Sequence, residues 1–162
     1  MEKVIHILQR SVHLAKILGY EFLDSDLLIQ KEEKRRLYQI IDEEGEDGFK
    51  AIENRVNASI DTENTVIATG GSVVYCSEAM EHLKSIGKVV YLSLSLESLE
   101  KRLGNLKKRG VLLKEGQTLK SLYEERVPLY EKYADIVVDE EGKDLEASLQ
   151  ALLETLQTGV IK

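Results

Sequence analysis

Five short apolar runs, rich in β-branched and aromatic residues, alternate along this 162-residue chain with longer segments of helical period. The runs are KVIHIL (3–8), YEFLD (20–24), NTVIATGG (64–71), KVVYLSLS (88–95) and DIVVD (135–139). The first of them also reads as the start of a helix. RSVHLAKIL (10–18) sets Val12, Leu14, Ala15 and Leu18 at helical spacing and ends at Gly19, a good helix stop. Further helices are predicted over EEKRRLYQIIDEE, EDGFKAIENRVNASI, SEAMEHLKSIG, LESLEKRLG, GQTLKSLYEERVPLYEKYA and DLEASLQALLETLQ. Strands that alternate with helices imply parallel pairing with both sheet faces covered. The expected fold is therefore α/β, a three-layer α/β/α arrangement around a central, mainly parallel five-stranded sheet. No repeat, low-complexity segment or linker interrupts the chain, and Pro128 is its one proline. A single domain over residues 1–162 is expected.

Composition excludes several function classes. A chain of this length buries roughly 68–70% of its unfolded surface, enough for a real core. No apolar run approaches the ~18 residues of a membrane span, and the N-terminus lacks a signal-peptide core. The expected location is the cytoplasm, with no membrane partner. One cysteine, Cys76, cannot form an internal disulfide framework and reads as structural rather than nucleophilic. A net charge of −7 argues against nucleic-acid binding, which relies on a positive surface. The charge is uneven, however. IDEEGEDG (41–48) reads as a solvated acidic turn, whereas KRLGNLKKRGVLLK (101–114) holds six Lys or Arg and no acid. The latter is either a solvated helix end with its loop or a candidate anion site. His6, His13 and His82 read as surface or helix-packing residues. Oligomeric state is not written in the sequence, and a monomer is the default.

In open α/β sheets, ligands sit outside the carboxyl ends of the strands. Asp24-Ser25-Asp26 follows YEFL at such an end. Two carboxylates two residues apart can divide labour between a metal ion and a hydroxyl proton, and Asp26 reads equally well as a helix N-cap. TGGS (69–72) is the second candidate, where Gly70 and Gly71 either let backbone N–H groups approach a ligand or make a tight turn. The basic segment after Leu103 is the third.

In this order the features resemble the shikimate kinase family, a branch of the P-loop kinases akin to nucleoside monophosphate kinases. The likeness runs from about residue 12 to residue 140. It rests on LAKILGYEFLDSD, GEDGFKAIE, VIATGGS, RLGNLKKRGVLL and ERVPLYEKYAD. The resemblance implies transfer of the γ-phosphoryl of ATP, with Mg²⁺, to a hydroxyl of shikimate, a step in aromatic amino acid biosynthesis. By the same resemblance Asp26 is the substrate-hydroxyl contact and base, and Asp24 the acid near Mg²⁺. Gly70, Gly71 and Arg126 contact the substrate, as does Lys50. Arg109, in a basic lid over about 105–117, reaches the transferring phosphate, and Arg102 stacks on adenine. Such a lid suits phosphoryl transfer, which is mostly positioning and charge neutralisation.

The departures from the pattern carry equal weight. Lys50 stands where the family has an arginine paired with an acid, here Glu53, and lysine cannot make a planar bidentate grip. Ser72 replaces a third glycine, and no proline follows Arg109. A small carboxylated alcohol, shikimate or a relative, is the expected substrate. The largest departure is the missing G-x-x-x-x-G-K-[S/T] loop. Ahead of Val12 there is no glycine, and Gln9-Arg10-Ser11 occupy its place. That loop supplies backbone donors and a lysine to the phosphates and a hydroxyl to Mg²⁺. Weak or absent turnover is therefore expected. The alternative is a non-catalytic kinase-fold protein that binds a small anion or a protein partner.

Overall fold

A computed structural model describes the backbone of residues 2–103 and 116–158 and the side chains of residues 10–101 and 116–157. Its residues sort into two compact units, Ser11–Lys88 and Val89–Lys162 with Met1–Arg10. Helix α1 (Glu2–Leu18) starts the chain. The first expected strand, KVIHIL, thus lies inside a helix. Val4, Ile5 and Leu8 continue the spacing of Val12 and Ala15, so a helical stripe runs through a window that looks locally β-branched. Gly19 ends α1 at φ 69°. Tyr20 N–H donates to the Ala15 carbonyl at 2.8 Å and Gly19 N–H to Lys16 at 3.3 Å, the bonding of a Schellman cap.

In the first unit, β1 (Glu21–Asp24) pairs in parallel with β2 (Thr65–Ala68), Glu21 opposite Thr65 and Asp24 opposite Ala68. Parallel neighbours need a crossover, supplied by α2 (Ser25–Glu33) and α3 (Leu37–Ala58). The helix expected over 32–44 is divided instead, because Lys34 turns left-handed (φ 54°) and closes α2. Arg36 N–H donates to Gln39 Oε1 at 2.9 Å and starts α3. Within α3 the backbone leaves helical geometry at Gly45 (φ 71°, ψ −178°), where the sequence suggested one helix giving way to another. The acidic run there is not merely solvated. Arg35 reaches Glu43 at 2.6 Å and Glu44 at 2.9 Å while also holding Glu33 at 2.9 Å.

Ile29, Ile40 and Val56 are fully buried between α2 and α3, with Leu28, Leu37, Phe49 and Ile52 packed around them. Burial of each such side chain contributes roughly 1.5–3 kcal/mol. A 3₁₀ helix (Gly71–Tyr75) leads into α4 (Ser77–Ile86), which buries Ala79, Met80 and Leu83. Asn54 on α3 takes the Ala79 N–H at 3.0 Å, satisfying one of the orphan donors at the start of α4. His82 contacts the Ile60 carbonyl through Nε2 at 2.6 Å, the packing role expected of it.

In the second unit, β3 (Val90–Ser93) pairs in parallel with β4 (Ile136–Asp139), Val90 opposite Ile136 and Ser93 opposite Asp139. Helices α5 (Leu96–Leu103) and α6 (Leu119–Tyr133) lie between them in sequence, and α7 (Leu145–Thr158) follows. Thr118 caps α6, its Oγ1 accepting from Ser121 N–H at 3.1 Å. Tyr91 of β3 stacks on Tyr130 of α6 at 5.1 Å between ring centroids. Glu140, just past β4, is buried in an ion pair with Arg10 of α1.

The α/β class holds. The described residues contain four strands in two parallel pairs rather than one five-stranded sheet. Most of the expected lid, with Arg109, lies outside the described residues. Among the described residues no helix is long and apolar enough to cross a membrane.

Candidate active site

The site grows from the carboxyl ends of β1 and β2. Asp24 ends β1 in extended backbone and caps α2, its Oδ1 accepting from Asp26 N–H at 2.9 Å and Leu27 N–H at 3.2 Å. The cap is thus Asp24, not Asp26 as one sequence reading had it. With that task done by Asp24, the half-buried Asp26 carboxylate turns toward Gly70. Burial first, and the neighbouring Asp24 charge second, hold the Asp26 carboxyl above the usual carboxylate range.

Gly70 follows β2 and caps the 3₁₀ helix with φ −64° and ψ 154°, a conformation open to any residue. Space is what favours glycine there. A Cβ atom at this position would lie 3.1 Å from Asp26 Oδ1 and 3.2 Å from Glu53 Oε1. Two carboxylates from different helices therefore converge on one bare Cα. Gly71 opens the 3₁₀ helix beside it.

Glu53 sits on α3 and is fully buried. Its Oε2 accepts a 2.6 Å hydrogen bond from Ser72 Oγ, and its backbone carbonyl accepts from Asn57 Nδ2 at 2.8 Å. Lys50, one turn earlier, holds its ammonium 4.7 Å from the centroid of the Tyr75 ring, a cation–π contact. Cys76 Sγ donates to the Lys50 carbonyl at 3.5 Å. Burial and then the Glu53 charge push the Cys76 thiol up to about 11, against the opposing pull of Lys50. A thiol so protonated is a poor nucleophile, which agrees with the structural role read from the sequence.

Asp24, Asp26, Lys50, Gly70 and Gly71 thus fall in one unit. Arg126 lies half-buried on α6 of the other unit, and Arg102 belongs to the last turn of α5. Sequence reasoning missed Tyr75 as the seat of Lys50 and Ser72 as the donor to Glu53. The only signal for either was a hydroxyl and an aromatic ring on the turn directly after the glycine pair.

The residues of this chain do not fit the phosphates of a nucleotide in the manner of a P-loop. The G-x-x-x-x-G-K-[S/T] run occurs nowhere in the sequence, and residues 2–18 form α1. Arg10, the nearest cation to the expected loop position, is buried against Glu140. Among the described residues no three His, Cys, Asp or Glu side chains gather as a metal site.

The shikimate kinase family model matches residues 11–157. A shikimate kinase of Francisella tularensis subsp. novicida is 41% identical over 133 residues, covering 80% of this chain and 76% of that protein. One from Pseudoalteromonas atlantica is 37% identical over 147 residues, covering 89% and 86%. Among solved structures, shikimate kinase from Acinetobacter baumannii in complex with shikimate aligns with a TM-score of 0.82 and 32% identity, over 96% of this chain and 89% of that one. The Aquifex aeolicus shikimate kinase aligns with a TM-score of 0.79 and 32% identity, over 93% and 89%. With a profile match across almost the whole chain and relatives well above 30% identity, the chain belongs to the shikimate kinase family.

Proposed function

We propose that this chain binds shikimate, or a closely related small carboxylated alcohol, at Asp26, Lys50, Gly70 and Gly71, with Arg126 assigned to the acceptor by the family resemblance alone. The reading rests on one observation above the rest, the convergence of the Asp26 and Glu53 carboxylates on Gly70. Asp26, half-buried beside Gly70, offers a substrate hydroxyl an acceptor, and the buried Glu53 lies behind it. Asp26 is the candidate base. Burial and Asp24 raise its pKa, so that once ionised it takes a hydroxyl proton more readily than an ordinary aspartate. Lys50 is the candidate cation for the acceptor's carboxylate, and Arg126 is a second one by the family resemblance alone.

The family's reaction is ATP-dependent phosphoryl transfer with Mg²⁺, for which Asp24, Arg102 and Arg109 are the matching residues. Asp24 would contribute one carboxylate oxygen to the ion, its Oδ1 already bonded to two backbone N–H groups. The phosphate cradle is missing from this sequence, and loss of even one preorganised donor of this kind costs ~10²–10³ in kcat. The expected behaviour is acceptor binding with impaired transfer. Helical residues in place of the loop favour this over full kinase activity.

Calorimetric titration with Mg-ADP and then with shikimate tests the reading. Shikimate binding without nucleotide binding is the expected result. Robust nucleotide binding would overturn the impairment, and silence toward shikimate would overturn the acceptor site.

A further inference from the structure

Lys50 and Ser72, the two departures from the family pattern nearest the glycines, flank Glu53 in different ways, Ser72 by a hydrogen bond to it and Lys50 from the same helix. Helix α3 carries Lys50 and Glu53 three residues apart, a spacing that places side chains on one face. The ammonium of Lys50 is seated on the Tyr75 ring, 4.7 Å from its centroid. Ser72 approaches from the 3₁₀ helix and donates to Glu53 Oε2 at 2.6 Å, while Oε1 lies against Gly70 opposite Asp26 Oδ1. A fully buried carboxylate needs hydrogen-bond donors. An arginine at position 50 would offer Glu53 a planar fork, whereas a lysine is a point charge with no fixed geometry. A hydroxyl at position 72 serves Glu53 without spending the cation at position 50.

We propose that Ser72 is a positioning residue of the acceptor site, whose hydroxyl holds the Glu53 carboxylate against Gly70 and leaves the Lys50 ammonium on Tyr75 to meet the acceptor's carboxylate. Lys50 and Ser72 together then do what one arginine does in the family pattern. The inference builds on the acceptor reading above, since it assigns Lys50 to the ligand rather than to Glu53. It requires the two positions to be energetically coupled, which independent surface changes are not.

The test is calorimetric titration of shikimate into the wild-type chain, Ser72→Ala, Ser72→Thr, Ser72→Gly and the double variant Lys50→Arg/Ser72→Gly. A crystal structure of unliganded Ser72→Ala accompanies it. Loss of a hydrogen bond to a charged group predicts at least about tenfold weaker binding for Ser72→Ala and Ser72→Gly. Threonine keeps the hydroxyl and is expected to bind within about threefold of wild type. The double variant, with its forked donor restored, is expected to recover most of the loss. In the Ser72→Ala structure the Lys50 ammonium is expected to have left Tyr75 for Glu53. Wild-type binding with Ser72→Ala unchanged, or no recovery in the double variant, overturns this proposal alone. A wild-type chain silent toward shikimate overturns the acceptor reading and this proposal together.

Discussion

Glu53 and Glu140 are both buried carboxylates, one in each unit, and their surroundings differ in kind. Glu140 faces the guanidinium of Arg10, itself buried, so charge meets charge in a closed contact. Glu53 takes a serine hydroxyl on one oxygen and sets the other against the Cα of a glycine, across from a second acid. Burying a carboxylate costs several kcal/mol in either setting, and what surrounds it decides the use made of that cost. A guanidinium makes the first carboxylate a fastener. The second packs against Gly70 and takes a hydrogen bond from a serine on the following turn. Burial alone therefore does not tell the two acids apart; their neighbours do.

Three substitutions press on this contrast. The largest effect is expected from Arg10→Ala, which takes the guanidinium away from a buried carboxylate and should lower unfolding free energy by about 3–5 kcal/mol in urea denaturation. A loss under about 1 kcal/mol would show that Glu140 does not depend on this partner, and the contrast would collapse. Next comes Gly70→Ala. Its methyl group would press on Asp26 and Glu53 at 3.1 and 3.2 Å, for a stability loss of about 1–3 kcal/mol and a marked drop in shikimate affinity. Unchanged affinity would mean that the two acids yield easily and that the space is not a site.

The smallest effect belongs to Asp26→Asn, and it depends on pH. Burial, and then Asp24, raise the Asp26 pKa above its ordinary 3.8, so the folded state holds this proton more tightly than the unfolded chain does. The resulting stability is fully present below 3.8 and is lost as pH rises through the folded value. Asparagine has no charge to desolvate, so the variant is expected to melt higher than wild type at neutral pH, by under about 4 °C. The gain should fade as the pH falls through the raised folded value and be gone below 3.8. A variant less stable at neutral pH would assign Asp26 a structural bond that its geometry does not suggest.

Much of the fold was legible because its signals are local. β1, β2, β3 and β4 fall within the runs read as strands, and α4, α6 and α7 match their apolar periods to within a few residues. KVIHIL was misread because six residues cannot separate a β-branched strand from one stripe of a 17-residue helix. The division at Lys34 was invisible for another reason, since a lysine in left-handed backbone follows from how α2 and α3 pack and not from its own preference. At the site, Asp24, Asp26 and Gly70 stand out because strand ends are where α/β folds bind ligands. Their convergence with Glu53 could not be read, because Gly70 and Glu53 come from segments joined only by tertiary packing. For Gly70 the sequence left close approach and a tight turn both open. Its torsions are ordinary, and the missing Cβ is what matters.

Cys76 sits in the wall behind Lys50, buried and bonded to the Lys50 carbonyl. With its pKa pushed up to about 11, the thiol stays protonated at neutral pH. In the terms of covalent labelling, electrophiles and oxidants are expected to react slowly with this sulfur, so the residue is a poor handle for modification.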